Sequence, residues 1–205
     1  MNETLRTALA SVAVSLLVLL APIARCAESA SLGSGAATVP SLIAEMAGTW
    51  EVREWMWTAP GAPAIVLPAA LARRTLVGGK FLEETMTSKA GSRAAFSRIS
   101  FFDFNAMTGR YEYFSIDTRA PQMMNERSVE PAEPDGMLEL YGAVFVAPQW
   151  GAATNVPFRY RLIIGPIHGN TQIVELYLTP IPAAQSRGFL AFKYLYTRRT
   201  TSSVR

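Results

Sequence analysis

The chain has 205 residues, 50% of them hydrophobic, with 19 basic and 16 acidic side chains and a formal net charge of +3. That small charge, with no lysine-arginine run longer than a pair, speaks against nucleic acid or an anionic membrane surface as partner. A single cysteine, Cys26, excludes an intramolecular disulfide, and a single histidine, His168, leaves too few nitrogen and sulfur ligands for zinc.

Ala8 to Ala24 is an uncharged apolar run preceded by Arg6 and followed by small residues, the layout of a secretory signal peptide over residues 1–26. It is shorter than the roughly 20 apolar residues of a membrane span and is broken by Pro22, so the processed chain is expected to be exported, to the periplasm or beyond, without a stable span. Cleavage after Cys26 and after Ser29 both fit small residues three positions before the cut, and Arg25 speaks against lipidation of Cys26. Loss of residues 1–26 removes Arg6, Arg25 and Glu3 and leaves a net charge of +2. Residues 27–39, AESASLGSGAATV, read as a flexible tether, residues 40–200 as a single domain, and residues 201–205 as a disordered tail.

Ser41 is placed to cap a short helix, Leu42 to Ala47, that Gly48 ends. From Trp50 onward, short segments rich in aromatic and β-branched residues alternate with turn formers: Pro60-Gly61, Gly78-Gly79, Gly91, Thr108-Gly109, Pro134-Asp135-Gly136 and Gly169-Asn170. Alternation sets Tyr111, Tyr113, Ser115 and Asp117 against Glu112, Phe114 and Ile116, and sets Leu190, Phe192, Tyr194 and Tyr196 against Ala191, Lys193 and Leu195. The class is all-β. Eight to ten strands joined by short turns predict a single antiparallel up-and-down β-barrel with a short N-terminal helix, and a two-sheet sandwich also satisfies the pattern.

Gly48-Thr49-Trp50 opening the first strand after a short helix, with Arg198 or Arg199 in the closing KYLYTRR, resembles the calycin superfamily, which includes the lipocalins. The order GTW, a tryptophan-rich strand, Pro60-Gly61, LVGGKFLEE, an aromatic-aspartate turn, a tyrosine strand ending in Asp117, and YTRR is similar to a bacterial domain-of-unknown-function family, number fifteen seventy-nine, over most of residues 44–199. The chain has Phe101-Phe102-Asp103 where that family usually has Gly-Tyr-Asp, and Ser115 where it often has tryptophan. The resemblance implies a fold and carries no reaction. It also implies that Arg198 lies over the Trp50 indole and closes the barrel bottom, a cation–π contact of roughly 0.5–2 kcal/mol.

No nucleophile–base pair, metal cluster or phosphate loop stands out, and no cofactor is called for. His168 sits in a Pro-Ile-His-Gly-Asn context that reads as a surface turn, a poor place for a haem ligand. Glu83 and Glu84 are adjacent on a strand and must face opposite ways. Three successive strands place Glu139 and Tyr141, then Arg159 and Arg161, then Glu175 and Tyr177 in reach of one another as a cross-strand ladder. Facing water, the ladder implies no function; facing inward, it makes a polar floor for a ligand, which Arg98, Tyr113 and Asp117 extend.

Three functional expectations follow. The first is a binding protein holding a small, mainly apolar ligand inside the barrel. The second is a small-molecule isomerase or hydrolase using tyrosine, arginine and glutamate in the same interior. The third is an envelope interaction module presenting Trp55, Trp57, Trp150 and the Met123-Met124 pair to a partner.

Overall fold

Ser41–Met46 forms a helix, α1, and the remaining regular structure among the described residues is β. The computed structural model describes residues 41–91, 95–120, 123–129, 136–182 and 188–200. The expected signal peptide, tether and tail lie outside these residues. Among the described residues, no helix is long and apolar enough to cross a membrane.

The strands are β1 (Gly48–Met56), β2 (Ile65–Val66), β3 (Ala70–Val77), β4 (Phe81–Ser88), β5 (Ser97–Asn105), β6 (Arg110–Asp117), β7 (Met123–Ser128), β8 (Leu138–Gly142), β9 (Phe145–Trp150), β10 (Ala153–His168), β11 (Thr171–Pro180) and β12 (Phe189–Arg198). Ten of them close an antiparallel barrel in the order β1-β3-β4-β5-β6-β7-β8-β10-β11-β12, with β12 pairing back onto β1. β2 is a short addition beside β1. β8 and β9 are two lengths of one bent strand, since Tyr141 faces Arg161 and Phe145 faces Phe158 on the same β10. The chain is therefore an up-and-down meander, and closure leaves the ten wall strands without an open edge.

The bend between β8 and β9 has a steric cause. A Cβ on Gly142 would lie 1.8 Å from the Tyr160 ring, so only glycine lets that ring lie against the strand. The Tyr160 hydroxyl in turn donates to the Asn125 carbonyl (3.1 Å) and accepts from the Asn125 N–H (3.2 Å), tying β10 across to β7.

Closure is made at the α1 end. Trp50 is fully buried, and its indole N–H donates to the Met46 carbonyl (3.0 Å) at the end of α1. Arg198, paired with Trp50 across β1 and β12, lies 4.1 Å from the indole centroid. Its guanidinium also donates to the carbonyls of Ala47 and Glu45, placing a cation on carbonyl groups that the helix end leaves unpaired. Gly48, at φ 137°, is required here because a Cβ would stand 2.7 Å from Arg198 Nη1. Tyr196 packs edge-on against Trp50 at 6.3 Å.

One expected face is broken. Tyr194 and Tyr196 share one face, as expected, and that face is the inner one, but Leu190 does not share their phase, because the β11–β12 register shifts between Leu176 and Tyr177. That bulge turns Phe189 and Ala191 inward instead, and the Ala191 carbonyl accepts the Trp57 N–H (2.9 Å).

Trp50→Ala is expected to cost about 3–5 kcal/mol by removing a fully buried indole. Arg198→Met is expected to cost less, about 1–3 kcal/mol, because it removes the cation–π contact and the helix-end hydrogen bonds but keeps the apolar stem. Urea unfolding curves of the two variants check both size and order; equal midpoints to the parent chain would remove the closure assignment.

Candidate functional site

Alternation gives each wall strand an inward row, and these rows enclose a cavity of about 380 Å³. Apolar side chains dominate its walls, among them Leu82, Phe102, Phe145, Leu162, Ile164, Leu176, Leu178 and Phe192. The inward rows of β3 to β7 are unusually polar. They carry Arg74, Glu84, Arg98, Ser100, Tyr113, Ser115, Asp117 and Glu126.

The floor, next to Trp50, is a chain of buried hydrogen bonds crossing the barrel. Gln172 on β11 donates to the Gly165 carbonyl (3.0 Å) and accepts from Arg74 Nη1 (2.6 Å) on β3. Arg74 Nε donates to Glu84 on β4 (2.7 Å), whose other oxygen accepts from Arg98 Nη2 on β5 (2.7 Å). Arg98 Nη2 also reaches the Tyr196 hydroxyl (2.8 Å), which returns the chain to β12. Arg74 lies 4.0 Å from the Tyr196 ring centroid, so its charge is met by a π-face as well as by a carboxylate. Burial alone would raise the Glu84 pKa, but Arg74 and Arg98 override it and hold the carboxyl at about 2.

The mouth is crossed by a second ionic group. Arg119, just past β6, donates to both Asp117 oxygens (3.0 and 2.7 Å) and to Glu54 on β1 (2.8 Å), four strands away around the barrel. Its guanidinium lies 3.6 Å from the Phe96 ring centroid. Trp150 packs edge-on against Phe192 beside this group (5.6 Å).

Glu126 lines the same cavity from β7, opposite Tyr113 on β6. It is 1% exposed, and neither carboxyl oxygen has a hydrogen-bond partner among the described residues. Tyr160 is near, but spends its hydroxyl proton on the Asn125 carbonyl. Burial pushes the Glu126 pKa up to about 8 against the opposing pull of Arg98, so this side chain carries a proton at neutral pH. Arg98 Nε, Glu54 Oε1 and Trp150 Nε1 are likewise buried without partners, and all four residues but Glu54 line the cavity.

Of the residues singled out in the sequence, Arg98, Tyr113 and Asp117 lie on the cavity wall. The Glu-Arg-Glu ladder does not. Glu139 and Tyr141 on β8, Arg159 and Arg161 on β10, and Glu175 and Tyr177 on β11 occupy the outer face, because their neighbours Leu140, Tyr160, Leu162, Leu176 and Leu178 take the inward phase. There Arg161 pairs with Glu139 (3.2 Å), Lys193 pairs with Glu175 (3.2 Å), and Tyr141 and Tyr177 donate to the two glutamates (2.7 and 2.9 Å). The inward alternative for these six residues is thereby corrected. Trp150 and Met124 also line the cavity rather than an outer patch, while Met123 is 66% exposed. His168 is exposed at a hairpin tip, and no group of metal-binding side chains assembles among the described residues.

The sequence reading missed Glu54, Arg74, Arg119, Glu126, Tyr194 and Tyr196 as site residues, and took Glu84 only as half of a doublet. Glu54 was within reach of the pattern, since it shares the phase of Trp50 and Val52.

Two titrations of opposite sign follow from the buried carboxyls. Glu84, with its pKa lowered to about 2, contributes stability that is present above about pH 4.5 and is lost as pH falls through 2. Glu126, raised to about 8, holds its proton more tightly folded than unfolded, so stability declines as pH rises from about 4.5 to 8. Glu126→Gln is expected to remove that alkaline decline, narrowing the difference in unfolding free energy between about pH 5 and pH 9 by on the order of 3–5 kcal/mol in urea titrations. Arg161→Ala, on the outer ladder, is expected to change stability by less than about 1 kcal/mol.

The solved crystal structure of Rv2717c from M. tuberculosis matches this fold with a TM-score of 0.51 at 17% identity, over 79% of this chain and 99% of that one. At that identity the likeness concerns the fold alone. No curated protein matches the chain. The family described as "Protein of unknown function (DUF1579)" matches residues 40–180, a span that takes in α1 through β11, and the chain belongs to that family.

Proposed function

We propose that this protein is an exported binding protein that holds a small, mainly apolar molecule inside the barrel. The observation that carries this reading is a closed barrel whose own side chains leave about 380 Å³ unfilled. Protein interiors are ordinarily packed to crystal density, so a space of this size at the low end of ligand-site volumes is a feature that needs a reason. At about 30 Å³ per water-sized group it takes about a dozen such groups. The partnerless Arg98, Glu126 and Trp150 atoms supply polar contacts within the mainly apolar wall.

A catalytic reading is favoured by one observation, the buried and partnerless Glu126 carboxyl near Arg98 and Tyr113. A carboxylic acid titrating at about 8 suits general acid chemistry on a small apolar substrate, as in an isomerase or hydrolase. The interaction-module reading loses Trp150 and Met124, which line the cavity.

Native mass spectrometry of the processed, tag-free protein, followed by denaturation to release whatever is held, tests the binding role. One small molecule in stoichiometric amount is the expected result, and its identity sets the substrate for a turnover assay. A discrete dimer with an empty cavity would point instead to a partner interface.

A further inference from the structure

The charges inside the barrel fall into two groups of opposite surplus. At the floor, two guanidinium groups, Arg74 and Arg98, share one carboxylate, Glu84. At the mouth the count is reversed, with Arg119 standing between Glu54 and Asp117. A molecule entering this cavity therefore meets a mouth group with one surplus negative charge and a buried group with one surplus positive charge, the two adjoining where Arg98 pairs with Asp117 across β5 and β6. The floor's surplus charge is not fully met by the protein, because Arg98 Nε lacks an acceptor. Glu126 lines the same cavity and feels the Arg98 charge, and it too has no partner.

We propose that Arg98 and Glu126 form the head-group subsite of the binding cavity, and that its ligand is a small apolar carboxylic acid held as the carboxylate; this rests on the binding role proposed above. The guanidinium supplies the charge-assisted donor, and the Glu126 carboxyl supplies an O–H to the head group's second oxygen. A buried N⁺–H donor is matched best by an anionic acceptor. An alcohol of the same length satisfies one hydrogen bond and leaves the floor charge unmet, and an amine brings a third cation to it. The tail then extends along Leu176 and Phe192 toward the mouth. Decanoate, with about a dozen non-hydrogen atoms, is of the right size for the space.

The proton on Glu126 makes the arrangement sensitive to pH. The groups that face this carboxyl are Arg98 from β5, Tyr113 from β6 and Tyr160 from β10, and burial holds both tyrosines neutral beyond their ordinary range. With the proton in place the side chain donates to a carboxylate; above about pH 8 it becomes a second anion at the same spot and repels it.

The test is calorimetric titration of the processed protein with decanoate, decan-1-ol and decylamine at about pH 7, and with decanoate again at about pH 9.5. Decanoate is expected to bind at least about tenfold more tightly than the alcohol, with the amine weakest, and to lose about tenfold or more at the higher pH. Arg98→Met, checked for folding by its circular dichroism melt, is expected to abolish the preference for acid over alcohol. Glu126→Gln keeps a donor at every pH and is expected to bind decanoate equally at both. An alcohol bound as tightly as the acid by the parent protein would overturn the head-group subsite while leaving the binding role standing. No binding of any of the three would count against the binding role itself.

Discussion

The structure depends on the contact between Arg198 and Trp50. A meander has two unpaired edges until its first and last strands meet, and here the residues that meet at the seam are a buried indole and the guanidinium that covers it. The same guanidinium takes the free carbonyls at the end of α1, so one side chain joins the helix, the first strand and the last. Glycine at position 48 follows from this, since a Cβ there would occupy the place of Nη1. Once the seam is fixed, the inward phase of β1 is fixed with it, and Trp50, Val52 and Glu54 point into the barrel.

That phase has an unusual consequence for β3 to β7. Arg74, Glu84, Arg98 and Glu126 are buried, while Ile99, Phe101 and Ile116 lie on the outside. Burying charges is costly unless each finds a partner, and the floor network meets most of that requirement through Gln172, Glu84 and Tyr196. Where it is left incomplete, at Arg98 Nε and Glu126, the protein keeps polar groups on the wall of an apolar cavity. The arrangement gives up stability at neutral pH that an all-apolar interior would retain, which is the usual mark of a site shaped by what it holds.

The ladder on β8, β10 and β11 shows why spacing alone does not find such a site. Its cross-strand geometry is sound, and its ion pairs and tyrosine hydrogen bonds form at 2.7–3.2 Å. They form on the wet face, where they stabilise little and line nothing. Two residues of the buried floor network, Arg74 and Glu84, lay instead in doublets, Arg73-Arg74 and Glu83-Glu84, where one member of each pair must face inward. MMNERS, the β7 sequence, has no hydrophobic alternation to mark Glu126 as the buried one.

The amino-acid sequence by itself determined the all-β class, the short helix, the rhythm of turns and the shared phase of Tyr113 and Asp117 on their strand. These are local properties of turn chemistry and of a period of two, which a linear chain carries in full. Which phase became the interior was decided only by tertiary structure, through the closure of the barrel, the bulge in β12 and the bend that Gly142 permits under Tyr160. A strand's alternation defines two faces without naming either as the inside; only the partner strands, brought together from across the chain, place Glu126 and Arg98 on the wall of one cavity.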